Sequence, residues 1–371
     1  MKGLINPMSE ALKVLIVDDS ITYRTILTSV LNSIPDVSVV GTASNGKSAL
    51  VKLSQVDVDM VLLDIEMPEM DGLETLHAIS KQYPKLGVVM VSGTNRHSAD
   101  ITIKALEAGA LDFVPKPDQD NADANSEILR SKLQPIFKQF ASKPNQASQI
   151  KEEKICEPVI KTVYTVAPAP TKLSSVDVIV IGVSTGGPNA LNEVIPKLPG
   201  DIGVPILLVQ HMPPMFTASL ASSLNQKAAL TVKEAEDGEM LKANTVYIAP
   251  GGFHMEVITS ALGHPMINLN EGPLENSCRP AVDVLFRSVA KNYAEKNILA
   301  VIMTGMGNDG ARGVKALKDK GQCYCMTQSE NSCVIYGMPK AVDQLNLSDE
   351  RVDLSNLSTR ITALAKNKVV R

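Results

Sequence analysis

The feature that most limits what this chain can fold into is a recurrent one: a short, continuously apolar run ends in a polar or glycine-rich turn and gives way to an amphipathic stretch. KVLIV runs into Asp18 and Asp19, MVLL into Asp64, VVMV into Ser92, VIVIGV into Ser184, ILLVQ into His211, and ILAVIM into the turn from Met306 to Asp309. Runs of this length without polar alternation are strands covered on both faces, and strands alternating with helical patterns make parallel sheets. The expected class is α/β. In open sheets of that class, groups just beyond the carboxyl ends of the strands converge on one crevice.

At 371 residues the chain is longer than one typical core, so about two domains are expected. The pattern breaks once. From about Ser142 to Ser175 the sequence is polar and proline-rich (SKPNQASQIKEEKICEP, then VAPAPTKLSS) and has the character of a linker. The expected organisation is a front module at 11–140, a linker at 141–175 and a back module at 176–371.

A 44% apolar content with 20% charged residues is that of a soluble globular protein, and a net charge of −4 gives no basic domain for nucleic acid. The apolar runs fall far short of the ~20 residues that cross a bilayer. MKGLINPMSEAL carries no secretory pattern, so the expected location is the cytoplasm without membrane insertion. MSEALKVLIVDDS from Met8 would also serve as an N-terminus. Five cysteines, an odd number, fit reduced thiols. Cys323 and Cys325 form CxC with no second pair at zinc spacing and are expected on a strand.

In the front module, Asp18, Asp19 and Asp64 follow two different apolar runs and can meet at one sheet edge. Such acids repel one another unless a cation lies among them, and an all-oxygen set suits Mg²⁺. A single one of these acids could instead be a helix N-cap. Ser92 adds a hydroxyl and Lys116, ahead of Pro117, an ammonium. A carboxylate that accepts a phosphoryl group needs those partners for the new oxygens. The module resembles the receiver domain of two-component response regulators, a (βα)5 fold with a parallel sheet. By that resemblance Asp64 is the phospho-acceptor, Asp18, Asp19 and Asp64 hold Mg²⁺, and Ser92 and Lys116 are the switch residues. Phe113 stands where the family has an aromatic switch residue, although its surroundings also fit a core position.

In the back module, Ser184, His211 and Asp309 each follow a separate apolar run and can converge as nucleophile, general base and orienting acid. GVSTGG lacks the G-x-G-x-x-G spacing of a dinucleotide site, and the second run ends in His211 instead of an acid. Gly182 to Gly186 does fit G-x-S-x-G, the pattern of a nucleophile elbow, in a chain order unlike that of the α/β-hydrolases. Ser184 could alternatively cap the next helix. His254, followed by Met-Glu-Val-Ile, is expected on a strand in a structural or substrate-contact role. Asp283, at helical spacing from Leu285 and Phe286, is expected to pack or cap. His77 and His97 lie in the front module and His264 in a turn before Pro265.

GVSTGGP, QHMPP, APGGFHM, CRPAVDVLFRSV, MTGMGNDGA and SCVIYGMP together resemble the catalytic domain of the chemotaxis protein-glutamate methylesterases. With the receiver and linker, the resemblance spans nearly the whole chain. It implies a doubly wound α/β domain with a mainly parallel sheet and a serine hydrolase that demethylates glutamate methyl esters and deamidates certain glutamines on chemoreceptors. Ser184, His211 and Asp309 would be its triad, flanked by Thr185 and Met306, with no metal in the hydrolytic step. Ala281 departs from the serine often found there. The implied partners are the cytoplasmic domains of methyl-accepting chemoreceptors and a chemotaxis sensor histidine kinase as phosphoryl donor. The unphosphorylated receiver would inhibit the hydrolase. A nucleotide-dependent enzyme and a non-catalytic output domain are the competing readings.

Overall fold

The computed structural model describes residues 11–117, 121–142, 175–293, 296–320 and 322–366. The linker expected at 141–175 lies almost wholly outside them. The chain forms two compact units.

The N-terminal module alternates β1 (Leu12–Val17), α1 (Ile21–Asn32), β2 (Val37–Ala43), α2 (Gly46–Leu53), β3 (Met60–Asp64), α3 (Gly72–Gln82), β4 (Gly87–Ser92), α4 (Arg96–Glu107), β5 (Asp112–Pro115) and α5 (Ala122–Ser142). Its sheet has the order β2-β1-β3-β4-β5, parallel throughout. Val14 to Ile16 and Val61 to Leu63 are fully buried, as expected of strands covered on both faces. Each such side chain contributes about 1.5–3 kcal/mol.

Local signals set the helix starts. Ser20 caps α1 by accepting from the Tyr23 N–H, and Asn45 and Asp71 form capping boxes on α2 and α3. Because Ser20 does the capping, Asp18 and Asp19 are left for the crevice. Gly72 has no room for a side chain: a Cβ there would lie 2.2 Å from the Asp64 carbonyl. The loop after β3 therefore folds tightly over the strand end that carries Asp64.

The second unit runs β6 (Val178–Val183), α6 (Gly187–Val194), β7 (Ile206–Gln210), α7 (Phe216–Lys227), β8 (Thr231–Glu234), β9 (Thr245–Ile248), β10 (His254–Thr259), β11 (Pro265–Asn270), α8 (Val282–Asn292), β12 (Asn297–Ile302), α9 (Ala311–Lys320), β13 (Gln322–Gln328), α10 (Met338–Gln344), β14 (Glu350–Val352) and α11 (Leu354–Lys366). Seven strands form one parallel sheet in the order β14-β13-β12-β6-β7-β9-β8, while β10 and β11 make a separate antiparallel pair. The order departs in opposite directions from β12 and β6, so the switch point of this doubly wound sheet lies between them. Ser184 and the Met306 turn follow those two strands.

Gly182 admits the start of α8 against this point, since a Cβ there would lie 2.5 Å from the Val282 side chain. Cys323 and Cys325 lie on β13, and the described cysteines (Cys278, Cys323, Cys325 and Cys333) are free thiols.

Candidate functional site

In the first unit, Val17 pairs with Leu63, which sets Asp18 beside Asp64 one register step further on. Asp18 and Asp64 are buried and Asp19 is exposed. One carboxylate oxygen from each of the three lies within 4.8 Å of the others. This oxygen set fits a small, hard divalent cation such as Mg²⁺.

Lys116 Nζ lies 2.8 Å from Asp64 Oδ2 and 2.9 Å from Asp18 Oδ2. The Asp18 contact is an ion pair without an aligned hydrogen bond. The Lys116 N–H donates to the Ser92 carbonyl at 2.7 Å, tying the ends of β4 and β5 together, and the Ser92 hydroxyl donates to the Gly93 carbonyl. Burial raises the Asp64 carboxyl to about 6, against the pull of Lys116 and with a further push from Asp18. Tyr23, which the sequence does not single out, places its ring 4.6 Å from Lys116 Nζ. Phe113 is half-buried on β5.

In the second unit, Val183 pairs with Gln210 and the His211 N–H donates to the Val183 carbonyl, so Ser184 and His211 are neighbours at the next register step. On the other side the Ser184 N–H donates to the Thr304 carbonyl at 3.0 Å. Gly305 presses on Ser184, for a Cβ there would be 2.8 Å from the Ser184 Cβ. Three strand ends thus meet at Ser184.

His211 Nε2 lies 2.8 Å from Asp309 Oδ2. Asp309 is 2% exposed, yet its carboxyl is held below the usual range. Burial opposes this; the bond to His211 and the N–H groups of Asp283 and Val282 outweigh it. Nε2 is therefore the nitrogen facing the acid. The Ser184 hydroxyl makes no hydrogen bond among the described residues, so the formed half of the arrangement is the His–Asp pair.

The turn after β6 is clamped from both sides. Gln210 Nε2 donates to the Ser184 carbonyl at 3.0 Å, and the Thr304 hydroxyl donates to the Thr185 carbonyl at 3.0 Å. Positive φ falls at Gly186 (73°) and not at Ser184, so the G-x-S-x-G match does not form the strained serine turn of a nucleophile elbow. Glycine suits the left-handed conformation there, and a side chain at Gly186 would also collide with Val334 at 2.5 Å. Gly186 is also the N-cap of α6, which excludes that role for Ser184. The N–H groups of Thr185 and Met306 have no acceptor among the described residues and are free to bind an anionic oxygen.

Residues 14–125 match the response regulator receiver domain, and residues 179–361 match the CheB methylesterase family. The chain is 44% identical to the protein-glutamate methylesterase/protein-glutamine glutaminase of Desulfotalea psychrophila over 365 residues, 96% of this chain and 99% of that one. The chain belongs to the CheB protein-glutamate methylesterase/glutaminase family. The relative from Halalkalibacterium halodurans, of the same description, is 42% identical over 97% of this chain and all of its own.

As a CheB-family enzyme of chemotaxis, the chain couples a receiver to a hydrolase of protein glutamate esters and glutamine amides. The readings as a nucleotide-dependent enzyme and as a non-catalytic output domain fall away. His254 is buried at the start of β10 with Nε2 2.9 Å from the Pro273 carbonyl, a structural position. Asp283 caps, as expected, but the helix it caps is α9 and not its own. Ala281 is the N-cap of α8 and offers no side-chain bond; the Asp309 carboxylate accepts the Val282 and Asp283 N–H groups in its place. The sequence signal for Gln210 and Thr304 is their place inside the QHMPP and MTGMGNDGA motifs, and for Asn276 only its proximity to CRPAVDVLFRSV.

Burial would lower the His211 pKa, but the hydrogen bond and charge of Asp309, with a further contribution from Cys278, raise it to about 9. With His211 as the general base proposed below, which must be neutral to act, kcat/KM of this CheB enzyme should rise with pH to a midpoint well above the ordinary imidazole value of ~6.5. Cys278→Ala should move that midpoint down. A pH-rate profile with a midpoint at or below the ordinary value, unmoved by Cys278→Ala, would contradict this account of the imidazole.

Proposed function

We propose that Ser184 is the nucleophile, His211 the general base and Asp309 the acid that orients it. The observation that carries this reading is the His211–Asp309 pair at the strand end next to Ser184. Ser184 Oγ attacks the glutamyl γ-carbonyl carbon while its proton passes to His211 Nδ1. The negative oxygen is received by the Thr185 and Met306 N–H groups. As the tetrahedral species collapses, His211 returns the proton to the leaving group: methanol from an ester, ammonia from an amide. Water then gives a proton to His211 and attacks the acyl-enzyme, freeing the glutamate and Ser184. Deprotonated Asp309 stabilises the imidazolium at both stages.

The receiver, with boundaries at 11–140, takes a phosphoryl group on Asp64 from a chemotaxis sensor histidine kinase. Asp18, Asp19 and Asp64 would hold Mg²⁺, which screens the carboxylates from the incoming phosphoryl oxygens. Ser92 and Lys116 then contact the new oxygens. A linker at 141–175 keeps the receiver at high effective concentration near the hydrolase at 176–371, so a weak interaction suffices for inhibition. Phosphorylation relieves that inhibition by shifting the population of states.

The substrates are the cytoplasmic domains of methyl-accepting chemoreceptors, and the enzyme acts in the cytoplasm. Among the described residues no helix is long and apolar enough to cross a membrane. The test is methanol release from methylated receptor membranes by the purified protein. A chain beginning near Ser174 should release it faster than the unphosphorylated full chain. Equal rates would remove inhibition by the receiver; no release from either would remove the substrate.

A further inference from the structure

Asp283 sits in the first turn of α8 with no exposed surface, yet its carboxylate serves another helix. Its Oδ1 accepts from the Gly310 N–H at 3.0 Å and the Gly313 N–H at 2.6 Å, at the start of α9. Asp309, just ahead of α9, does the reverse. It accepts from Val282 N–H at 2.7 Å and Asp283 N–H at 2.9 Å, at the start of α8. The two helices exchange caps, each supplied by an acid of the other segment.

Asn276 closes the arrangement. It lies at φ 52°, and Nδ2 donates to Asp309 Oδ1 at 2.8 Å and to Asp283 Oδ2 at 3.1 Å, using both of its hydrogens. Glu275 and Cys278 pair through their backbones on either side, and Glu275 is held by Arg287, so the Asn276 turn is anchored.

The consequence falls on the acid that holds the imidazole. Asp309 Oδ1 is filled by Asn276, Asp283 N–H and Gly310 N–H, and Oδ2 by Val282 N–H and His211. A carboxylate with every lone-pair direction in use cannot rotate to offer its other oxygen. We propose that Asp283 and Asn276 are positioning residues for ester hydrolysis, locking the Asp309 carboxylate so that the His211 ring keeps Nε2 on the acid and Nδ1 towards Ser184. This rests on the roles given above to Ser184, His211 and Asp309. A loose acid would let the ring swing, and a displacement of about 1 Å at a reacting group costs up to about 100-fold in rate.

The test uses the full chain with Asp283→Asn, Asn276→Gly and, as a reference, Asp309→Asn. Glycine at 276 keeps the left-handed backbone while removing the amide. Asp283→Asn and Asn276→Gly should each lower kcat by about 10- to 100-fold with KM unchanged, and the double variant should lose little more than either alone. In imidazole-labelled protein, the downfield proton of the His211–Asp309 bond should broaden or vanish in both. If Asp283→Asn does not fold, Asn276→Gly decides alone. Wild-type kcat in folded Asn276→Gly overturns the proposal, as does a loss of kcat with an unchanged His211 proton signal. Wild-type kcat in Asp309→Asn would instead overturn the triad assignment on which the proposal rests.

Discussion

Replacing Ser184 by alanine is expected to lower methyl-ester turnover by roughly five to six orders of magnitude, and His211→Ala by a similar factor. The double variant should be no worse than either single one. The reason is that an alkoxide-like oxygen forms only as its proton leaves, so neither residue performs the step without the other. What survives would come from binding and from the Thr185 and Met306 N–H groups, which both variants keep. Methanol release under substrate saturation measures the loss directly. A Ser184→Ala enzyme within about tenfold of wild type would mean that the acyl-enzyme route is wrong.

Asp64→Asn should abolish stimulation by a small phosphoryl donor entirely while leaving basal hydrolysis in place. The amide is not a phosphoryl acceptor, and the hydrolytic residues belong to a different sheet. Asp19→Asn should leave phosphorylation possible but raise the Mg²⁺ concentration it needs, because the cluster loses one of its three charges. Burial holds the Asp64 carboxyl at about 6, so the proton-free acceptor is the major form at neutral pH. A divalent cation among the carboxylates favours the ionised form further, so acceptance measured with Mg²⁺ should decline only below that value. Donor-stimulated activity that persists in Asp64→Asn would place the phosphoryl group elsewhere.

What could be read from the sequence follows from the short range of the rules involved. An apolar run of strand length, a capping residue and a glycine at a close approach each act within a few residues. KVLIVDDS and VIVIGVSTGGP therefore declare strand, turn and helix where they stand. Because side chains at the carboxyl ends of parallel strands gather at one edge, Asp18 with Asp64, and Ser184 with His211, were legible as neighbours without coordinates. Asp309 was legible for the same reason, although 98 positions separate it from His211.

Tertiary structure alone decided what depends on register, helix packing and side-chain direction. The G-x-S-x-G pattern does not say that the left-handed residue of the turn is Gly186, or that Val334 leaves no room for a Cβ there. Which imidazole nitrogen meets the acid depends on where α8 and α9 start relative to each other, and that is fixed by their exchange of Asp283 and Asp309 as caps. Ala281 has no capping group in its own side chain, and the sequence around it does not say that an acid 28 positions later fills the role. Gln210 and Thr304 lie inside the QHMPP and MTGMGNDGA motifs and Asn276 just ahead of CRPAVDVLFRSV, but nothing local says which groups their side chains hold. Gln210 and Thr304 become parts of the site because the sheet order places β7 and β12 on either side of β6, bringing an amide and a hydroxyl within about 3 Å of the turn they hold, whereas Asn276 reaches Asp309 from the loop before α8.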